Sequence, residues 1–378
     1  MEALSRGVES DGGLIPPASM FRMAAAEGLA RAVEDLCRAS AVRSFARLPH
    51  RFEDLLLFLN LDLDSTASPE ASAAELQTLV YGAGLQPRSV AVEFLEARFD
   101  DAGRFGALAA ALRGRGFLMA LDDVGAGHSN LDRIPLLRPD VIKIDRSLIT
   151  GVEGDFYKQE TLKSLVSLSR RIGALVVAEG IETEAEAITA LELGADLLQG
   201  YFLSRPQPAA TFDAGGMGRA ASCVESLARA FKTHMVGEIN ERKLAYRRFN
   251  DILARILGEL VSADAEQFDA ILSRIIDENP KVECAYVLDE AGIQVTETIC
   301  NAAMARRPGG AMFRPAAKGT DHSFKEYFYL LVDVELQKFT TDPYVSLASG
   351  HLCRTISTGL RDAVADRRYV LCVDVRPS

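Results

Sequence analysis

The chain has 378 residues, 48% hydrophobic and 25% charged, with a formal net charge of −11. A chain of this size accommodates two domains, each with a sizeable core, and the composition is that of an ordinary soluble globular protein. The negative balance excludes a general nucleic-acid or membrane-surface binder, which would need a basic face. A carboxylate cluster filled by divalent cations would still attract a small anion.

No apolar run reaches the roughly 18 residues of a bilayer span, and no signal-peptide pattern opens the chain. The six cysteines, Cys37, Cys223, Cys284, Cys300, Cys353 and Cys372, form no CxxC pair. They read as reduced thiols of a cytoplasmic protein.

The chain opens on Met1-Glu2-Ala3-Leu4-Ser5-Arg6, which resembles the end of a strand whose beginning is missing, with Glu2 beside a terminus expected to fray. Apolar residues at spacings of three and four predict a helix over 18–48. An apolar strand over 55–61 carries Asn60 near its end, and a helix over about 70–84 leads to a second strand over 90–96 with Glu93. A helix over about 101–115 precedes the central stretch LDDVGAGHSNLDRIPLLRPDVIKIDRS, residues 121–147. There the apolar run 117–121 ends on Asp122 and Asp123, a glycine-bracketed loop follows, and a second strand carries Lys143. Beyond a helix over about 155–172, strand 174–180 carries Glu179. A short helix over 184–193 leads to the last strand, with Gln199.

Strand and helix alternate throughout, and such apolar strands belong to a parallel sheet covered by helices. In a β/α barrel their carboxyl ends converge on one mouth. Seven strand ends, Glu2, Asn60, Glu93, Asp122/Asp123, Lys143, Glu179 and Gln199, carry groups that bind metal, phosphate or water. Glu2, Asn60, Glu93 and Asp122 would form an all-oxygen site suited to Mg²⁺ or Mn²⁺. Asp122 and Asp123 together could serve two cations, and two cations about 3.5–4 Å apart are a recurrent arrangement for phosphodiester hydrolysis. Lys143 offers a fixed positive charge for a phosphate oxygen or an attacking water. Glu179 could take a proton or complete the second metal site. The five histidines, His50, His128, His234, His322 and His351, lie off the strand ends, and His128 in the central loop reads as a loop residue.

These motifs resemble the EAL-domain family, cyclic-di-GMP phosphodiesterases that open the dinucleotide to linear pGpG. The namesake motif stands as Glu2-Ala3-Leu4, extended to Arg6, and the family's DDFGTG loop stands as DDVGAG. Lys143-Ile144-Asp145, Ala178-Glu179-Gly180-Ile181-Glu182-Thr183, Gln199-Gly200-Tyr201 and Arg205-Pro206 complete the match over roughly 1–208. The resemblance implies Glu2, Asn60, Glu93 and Asp122 as first-metal ligands, and Asp122 and Asp123 as second-metal ligands. It implies Lys143 and Glu179 as the groups acting on the attacking water, Gln199 as a water-orienting amide and Glu96 as a support of the loop after Asp123. Leu4, Arg6 and Pro206 are implied as ligand contacts. Val124 and Ala126 depart from the family loop. A full barrel needs about 250 residues, so the fold expected is a TIM-like β/α barrel lacking its first strand, with weak occupancy of the first metal site.

The small, glycine-rich stretch 209–218 marks a boundary, and 219–262 is predicted helical with two apolar stripes. One holds Val224, Leu227, Phe231 and Met235; the other holds Phe249, Ile252, Leu253, Ile256 and Leu260. They read either as packing within the domain or as a signalling helix that pairs with its copy, and a homodimer is expected. Residues 263–378 predict a helix over about 264–278 and β-rich runs at 284–288, 293–296, 327–334, 351–357 and 369–373. That order, with Asp321-His322-Ser323 and Tyr327-Phe328, resembles an α+β PAS- or Cache-like sensor module. The expected division is a phosphodiesterase barrel over 1–212, a linker helix over 213–262 and a regulatory domain over 263–378. The expected activity is metal-dependent hydrolysis of cyclic-di-GMP in second-messenger signalling; the alternative is a receptor that binds the dinucleotide without cleaving it.

Overall fold

The computed structural model describes residues 1–48, 55–61, 68–95, 102–127, 131–208, 214–302, 314–346, 349–363 and 366–376. These form two compact units, Met1–Met235 and Val236–Ser378.

The first unit is built on six parallel strands in chain order: β3 (Leu57–Asn60), β4 (Val90–Leu95), β5 (Leu118–Val124), β6 (Val141–Ile144), β7 (Leu175–Ala178) and β8 (Leu197–Leu198). A small antiparallel hairpin, β1 (Gly7–Val8) with β2 (Leu14–Ile15), precedes them. The region predicted as one helix over 18–48 is two, α1 (Pro17–Ala26) and α2 (Ala30–Ala46), separated where Gly28 takes a positive φ of 68°. Further on, α3 (Pro69–Gly82), α4 (Ala102–Arg113), α5 (Arg133–Leu137), α6 (Arg146–Ile149), α7 (Phe156–Ile172) and α8 (Glu184–Glu192) connect the strands.

Local chemistry sets several of these boundaries. Ser68 caps α3 by accepting from the Ala71 amide, and Asp155 caps α7 by accepting from Tyr157 and Lys158. Gly173, left-handed at φ 79°, closes α7. Thr183 and Glu186 form a reciprocal capping box on α8. An aspartate one residue ahead of a strand recurs: Asp140 accepts from the Met119 amide at 2.8 Å and Asp196 from the Val176 amide at 2.9 Å.

The amino-terminal residues are tied down rather than frayed. Glu2 bridges Phe58 in parallel, the Phe58 amide donates to the Met1 carbonyl, and the terminal amine donates to the Leu56 carbonyl at 2.7 Å. Residues 1–3 thus extend the parallel sheet beyond β3. At its other margin Gln199, just after β8, donates to Glu2 at 2.6 Å, so the sheet curls until its two margins meet through side chains. This is a TIM-like curled parallel sheet with helices outside.

Alternation along the strands separates two layers. Phe58, Ala91, Ala120, Val141 and Val177 form an apolar cluster inside the curl. Their strand neighbours, including Leu59, Val92, Phe94, Met119, Leu121, Ile142 and Val176, pack against the helices.

The long helix α9 (Ala214–Val261) runs through the division between the units. Leu227 packs into the first unit's core, whereas Leu253, Ile256 and Leu260 are buried in the second. The second stripe therefore serves its own unit, and Val224 of the first is 55% exposed.

In the second unit an antiparallel sheet is ordered β10 (Ile299–Cys300), β9 (Val282–Asp289), β14 (Arg368–Val375), β13 (Leu352–Arg361), β11 (Lys338–Thr340), with β12 (Tyr344–Val345) also on β13. One face packs on α9 and α10 (Phe268–Asp277) through Phe268, Ile275, Val287, Leu371 and Val373. The other meets α11 (Glu326–Val332) through Tyr286, Leu288, Phe328, Leu331 and Val370.

Two expectations are corrected in this unit. The apolar run 327–334, predicted as a strand, is largely α11; a short aromatic-aliphatic run has no periodicity that separates helix from strand, and Phe328 and Leu331 are buried one turn apart. Cys284 and Cys300, read as separate thiols, form a disulfide with sulfurs 2.50 Å apart. The antiparallel register of β9 and β10 places them opposite each other, which a separation of 16 residues hides.

Candidate active site

The functional side chains stand one layer above the apolar cluster. Each follows an inward-facing residue by two positions: Asn60 after Phe58, Glu93 after Ala91, Asp122 after Ala120, Lys143 after Val141 and Glu179 after Val177. The period of two aims all five into the curl at the carboxyl ends of the strands.

They meet on Lys143. Its ammonium lies 2.5 Å from Glu93 Oε1, 2.7 Å from Glu179 Oε1, 3.1 Å from Asp122 Oδ1 and 3.4 Å from Glu2 Oε2. The Asn60 amide donates to Glu93 Oε2 at 2.9 Å, and Gln199 donates to Glu2. Glu93 is fully buried, and its Oε1 is met by ion pairing alone, outside hydrogen-bond geometry.

Asp123 ought to point outward, being adjacent to Asp122 on one strand. It turns because its backbone is left-handed, φ 57°, at the point where β5–β6 pairing shifts register between Leu121 and Val124. As a result, oxygens of Asp122, Asp123 and Glu179 lie within 4.8 Å of one another. A non-glycine residue held in this region is strained, and such strain collects at functional sites.

The electrostatics follow from five carboxylates facing one buried ammonium. Burial pushes Glu93 up to about 8, with Lys143 opposing and Glu2 and Asp122 adding to the rise. Burial likewise raises Glu179 to about 7, and raises Asp123 to about 6 with help from Asp122 and Asp145. Asp122 is raised for the same first reason. Burial works against the Lys143 charge, yet Glu93, Asp122, Glu179 and Glu2 together lift its pKa above the ordinary lysine value. The donors are all oxygens and the carboxylates outnumber the one ammonium among them, which fits hard divalent cations.

Not every predicted residue joins the cluster. Leu4 and Arg6 are exposed, and the Arg6 guanidinium donates to the neighbouring Ser5 carbonyl. Pro206 is exposed beyond β8. Glu96 and His128 lie outside the described residues.

Glu186 went unnoticed in the sequence. Its buried carboxylate accepts from the Gly151, Glu182 and Thr183 amides at 3.0, 2.8 and 3.0 Å, anchoring the turn that follows Glu179. The capping-box spacing from Thr183 was the available signal. Gly200 holds the other side of that turn: a Cβ there would lie 2.1 Å from the Ile181 carbonyl oxygen.

Comparison with known proteins gives the family and the fold. A family model described as the EAL domain matches residues 1–206. YkuI of Bacillus subtilis, an uncharacterised EAL-domain-containing protein, is 26% identical over 318 residues, covering 82% of this chain and 75% of its own. RocR of Pseudomonas aeruginosa, a cyclic di-GMP phosphodiesterase, is 31% identical over 150 residues, 38% of this chain and 37% of its own. The chain spans only 29% of an uncharacterised protein of Azorhizobium caulinodans to which it is 28% identical. The crystal structure of YkuI with substrate c-di-GMP and calcium superposes with a TM-score of 0.77 at 24% identity, over 100% of this chain and 92% of that one, and so shows a shared fold. Among the described residues no helix is long and apolar enough to cross a membrane. With the family model matched over more than half its length, the chain belongs to the EAL domain family.

Proposed function

We propose that this protein hydrolyses cyclic-di-GMP to linear pGpG in second-messenger signalling, with the Val236–Ser378 unit adjusting that activity. The observation that carries the proposal is the convergence of Glu2, Glu93, Asp122 and Glu179 on Lys143, with Asp123 turned in beside them.

Glu2, Asn60, Glu93 and Asp122 would hold one Mg²⁺ or Mn²⁺, and Asp122 with Asp123 a second. Divalent cations held there would supply Lewis acidity to the phosphodiester and the attacking water. Lys143, fixed by its neighbours, holds a positive charge toward that water or a phosphate oxygen. Glu179, 2.7 Å from the Lys143 ammonium at the carboxyl end of its strand, is placed to accept the water's proton. Gln199, anchored on Glu2, orients the water, and Leu4, Arg6 and Pro206 contact the dinucleotide. Glu96 supports the loop after Asp123. Water is added across one phosphodiester, the sugar oxygen leaves with a proton, and the ring opens. We assign 1–212 to the phosphodiesterase, 213–262 to a linker helix and 263–378 to a PAS- or Cache-like regulator, in a cytoplasmic homodimer.

The test is incubation with cyclic-di-GMP and Mn²⁺, followed by chromatography. Formation of pGpG that stops on chelation supports the proposal. Intact dinucleotide retained by the protein would make it a receptor instead.

A further inference from the structure

We infer that Cys223 and Leu227 of α9 are positioning residues for Gln199, acting through Phe202; the consequence for turnover rests on the hydrolase reading above, the bracing itself does not. Gln199 follows β8, a strand of only two residues, which gives it little support of its own. Its backbone is held by bonds traded with the turn after Glu179. The Gln199 amide donates to the Ala178 carbonyl at 2.9 Å, the Ile181 amide to the Gln199 carbonyl at 3.0 Å, and the Phe202 amide to the Ile181 carbonyl at 3.0 Å. From that frame the Gln199 side chain reaches Glu2 Oε2 at 2.6 Å.

Phe202 ends this ladder, and it is where α9 arrives. The Cys223 thiol donates to the Phe202 carbonyl, with Sγ 3.6 Å from the oxygen. Four residues on, at the spacing that keeps side chains on one face of a helix, Leu227 is 4% exposed, in the core against which Phe202 and Leu198 pack. A thiol is a weak donor, so the burial of Leu227 does most of the holding.

A second fastening lies two turns further along. His234 Nε2 is 2.8 Å from Oε2 of Glu192, the last residue of α8. The first turn of α8 is tied by Glu186 to the Gly151, Glu182 and Thr183 amides. Within the first unit, α9 is thus fastened to both segments that leave the mouth after Glu179 and Gln199.

The position of an orienting amide matters at this scale: a misplacement of about 1 Å can cost roughly a hundredfold in rate. The helix that sets it does not end with the barrel. α9 runs unbroken to Val261, and its Leu253, Ile256 and Leu260 are buried in the core of the second unit. The residues that brace Gln199 therefore stand on the same element that the second unit grips.

Hydrogen exchange of the full chain in chelator, read by mass spectrometry, tests the bracing, and kinetics with cyclic-di-GMP and Mn²⁺ test its consequence. In Leu227→Ala, exchange should quicken roughly tenfold or more in peptides spanning Ile181 and residues 198–204, with those of β4 and β5 unchanged. The kcat should fall roughly tenfold or more with KM nearly constant, and Leu227→Met should restore both readouts. Because the effect runs through one amide, Leu227→Ala should change kcat by less than about twofold in a Gln199→Ala background. Cys223→Ala should show the same pattern at smaller size and serves if Leu227→Ala fails to fold. Unchanged exchange at these turns, exchange that rises equally in β4 and β5, or a full loss of kcat added to that of Gln199→Ala would each overturn the inference. Wild type that forms no pGpG, with the exchange pattern as expected, would count against hydrolysis and still support the bracing.

Discussion

Replacing Lys143 by methionine tests whether the acids at the mouth are held together by one ammonium. Methionine is close in length and unbranched, so the change removes charge with little cavity. Lys143 is 2% exposed and lies within 3.4 Å of four carboxylates, one of them fully buried. Breaking a buried ion pair by removing one partner costs about 3–5 kcal/mol. For a unit of this size each kcal/mol moves the midpoint by about 2–4 °C, so the first unit should melt roughly 6–20 °C lower in chelator. Excess Mn²⁺ should narrow that gap, because cations at about 100 times Kd return about 2.7 kcal/mol and the lysine no longer competes for the same oxygens. Scanning calorimetry of the full chain at pH 7.5 reads both quantities. A variant that melts with wild type in chelator, or whose deficit is unchanged by Mn²⁺, would refute the reasoning.

Asp123→Asn keeps a side chain that tolerates the left-handed backbone while removing a charge, so turnover should collapse with cyclic-di-GMP affinity and melting temperature nearly unchanged; surviving turnover would show Asp123 is not needed. Gly200→Ala would set a Cβ 2.1 Å from Ile181 O and 2.3 Å from Ile181 N; the resulting backbone shift should cost about 1–3 kcal/mol and draw Gln199 off Glu2, measured as a lower melting temperature and reduced turnover. The Glu283 carboxyl, raised to about 7 mainly by burial, keeps its proton in the folded state at pH values where the unfolded chain has lost it. Its contribution is therefore present below the unfolded value and fades as pH rises toward 7, by up to roughly 3 kcal/mol. Urea denaturation at pH 5 and pH 7.5 should show this loss in wild type and a flatter profile in Glu283→Gln.

The mouth was legible because period-two alternation is written into the strands. An apolar residue two places before an acid or lysine, as in Val141-Ile142-Lys143 or Ala91-Val92-Glu93, states which side the polar group faces. A lysine between Ile142 and Ile144 in a wholly buried strand also demands acidic partners. Asp123 was legible as a residue but not as a direction, since its inward turn depends on one backbone angle and a register shift. The hold on residues 1–3 was not legible either, because it consists of main-chain bonds to β3 that no side-chain pattern encodes.

The second unit was read less well, for different reasons. Its antiparallel strands are buried on both faces, as in the run Val282–Asp289, so they lack alternation and resemble short buried helices. The pattern around His322 proved to be internal support. Its Nε2 meets Gln294 Oε1 at 3.0 Å and its Nδ1 meets the Tyr327 hydroxyl at 2.8 Å, with the pKa lowered chiefly by burial.

The most direct measurement is anomalous diffraction at the manganese edge from crystals grown with Mn²⁺ and cyclic-di-GMP. Two peaks about 3.5–4 Å apart are expected, one among Glu2, Asn60, Glu93 and Asp122 and the other beside Asp122 and Asp123, with the scissile phosphate facing Lys143. A dinucleotide bound with no manganese at these oxygens, and Lys143 still closed on all four carboxylates, would contradict this expectation.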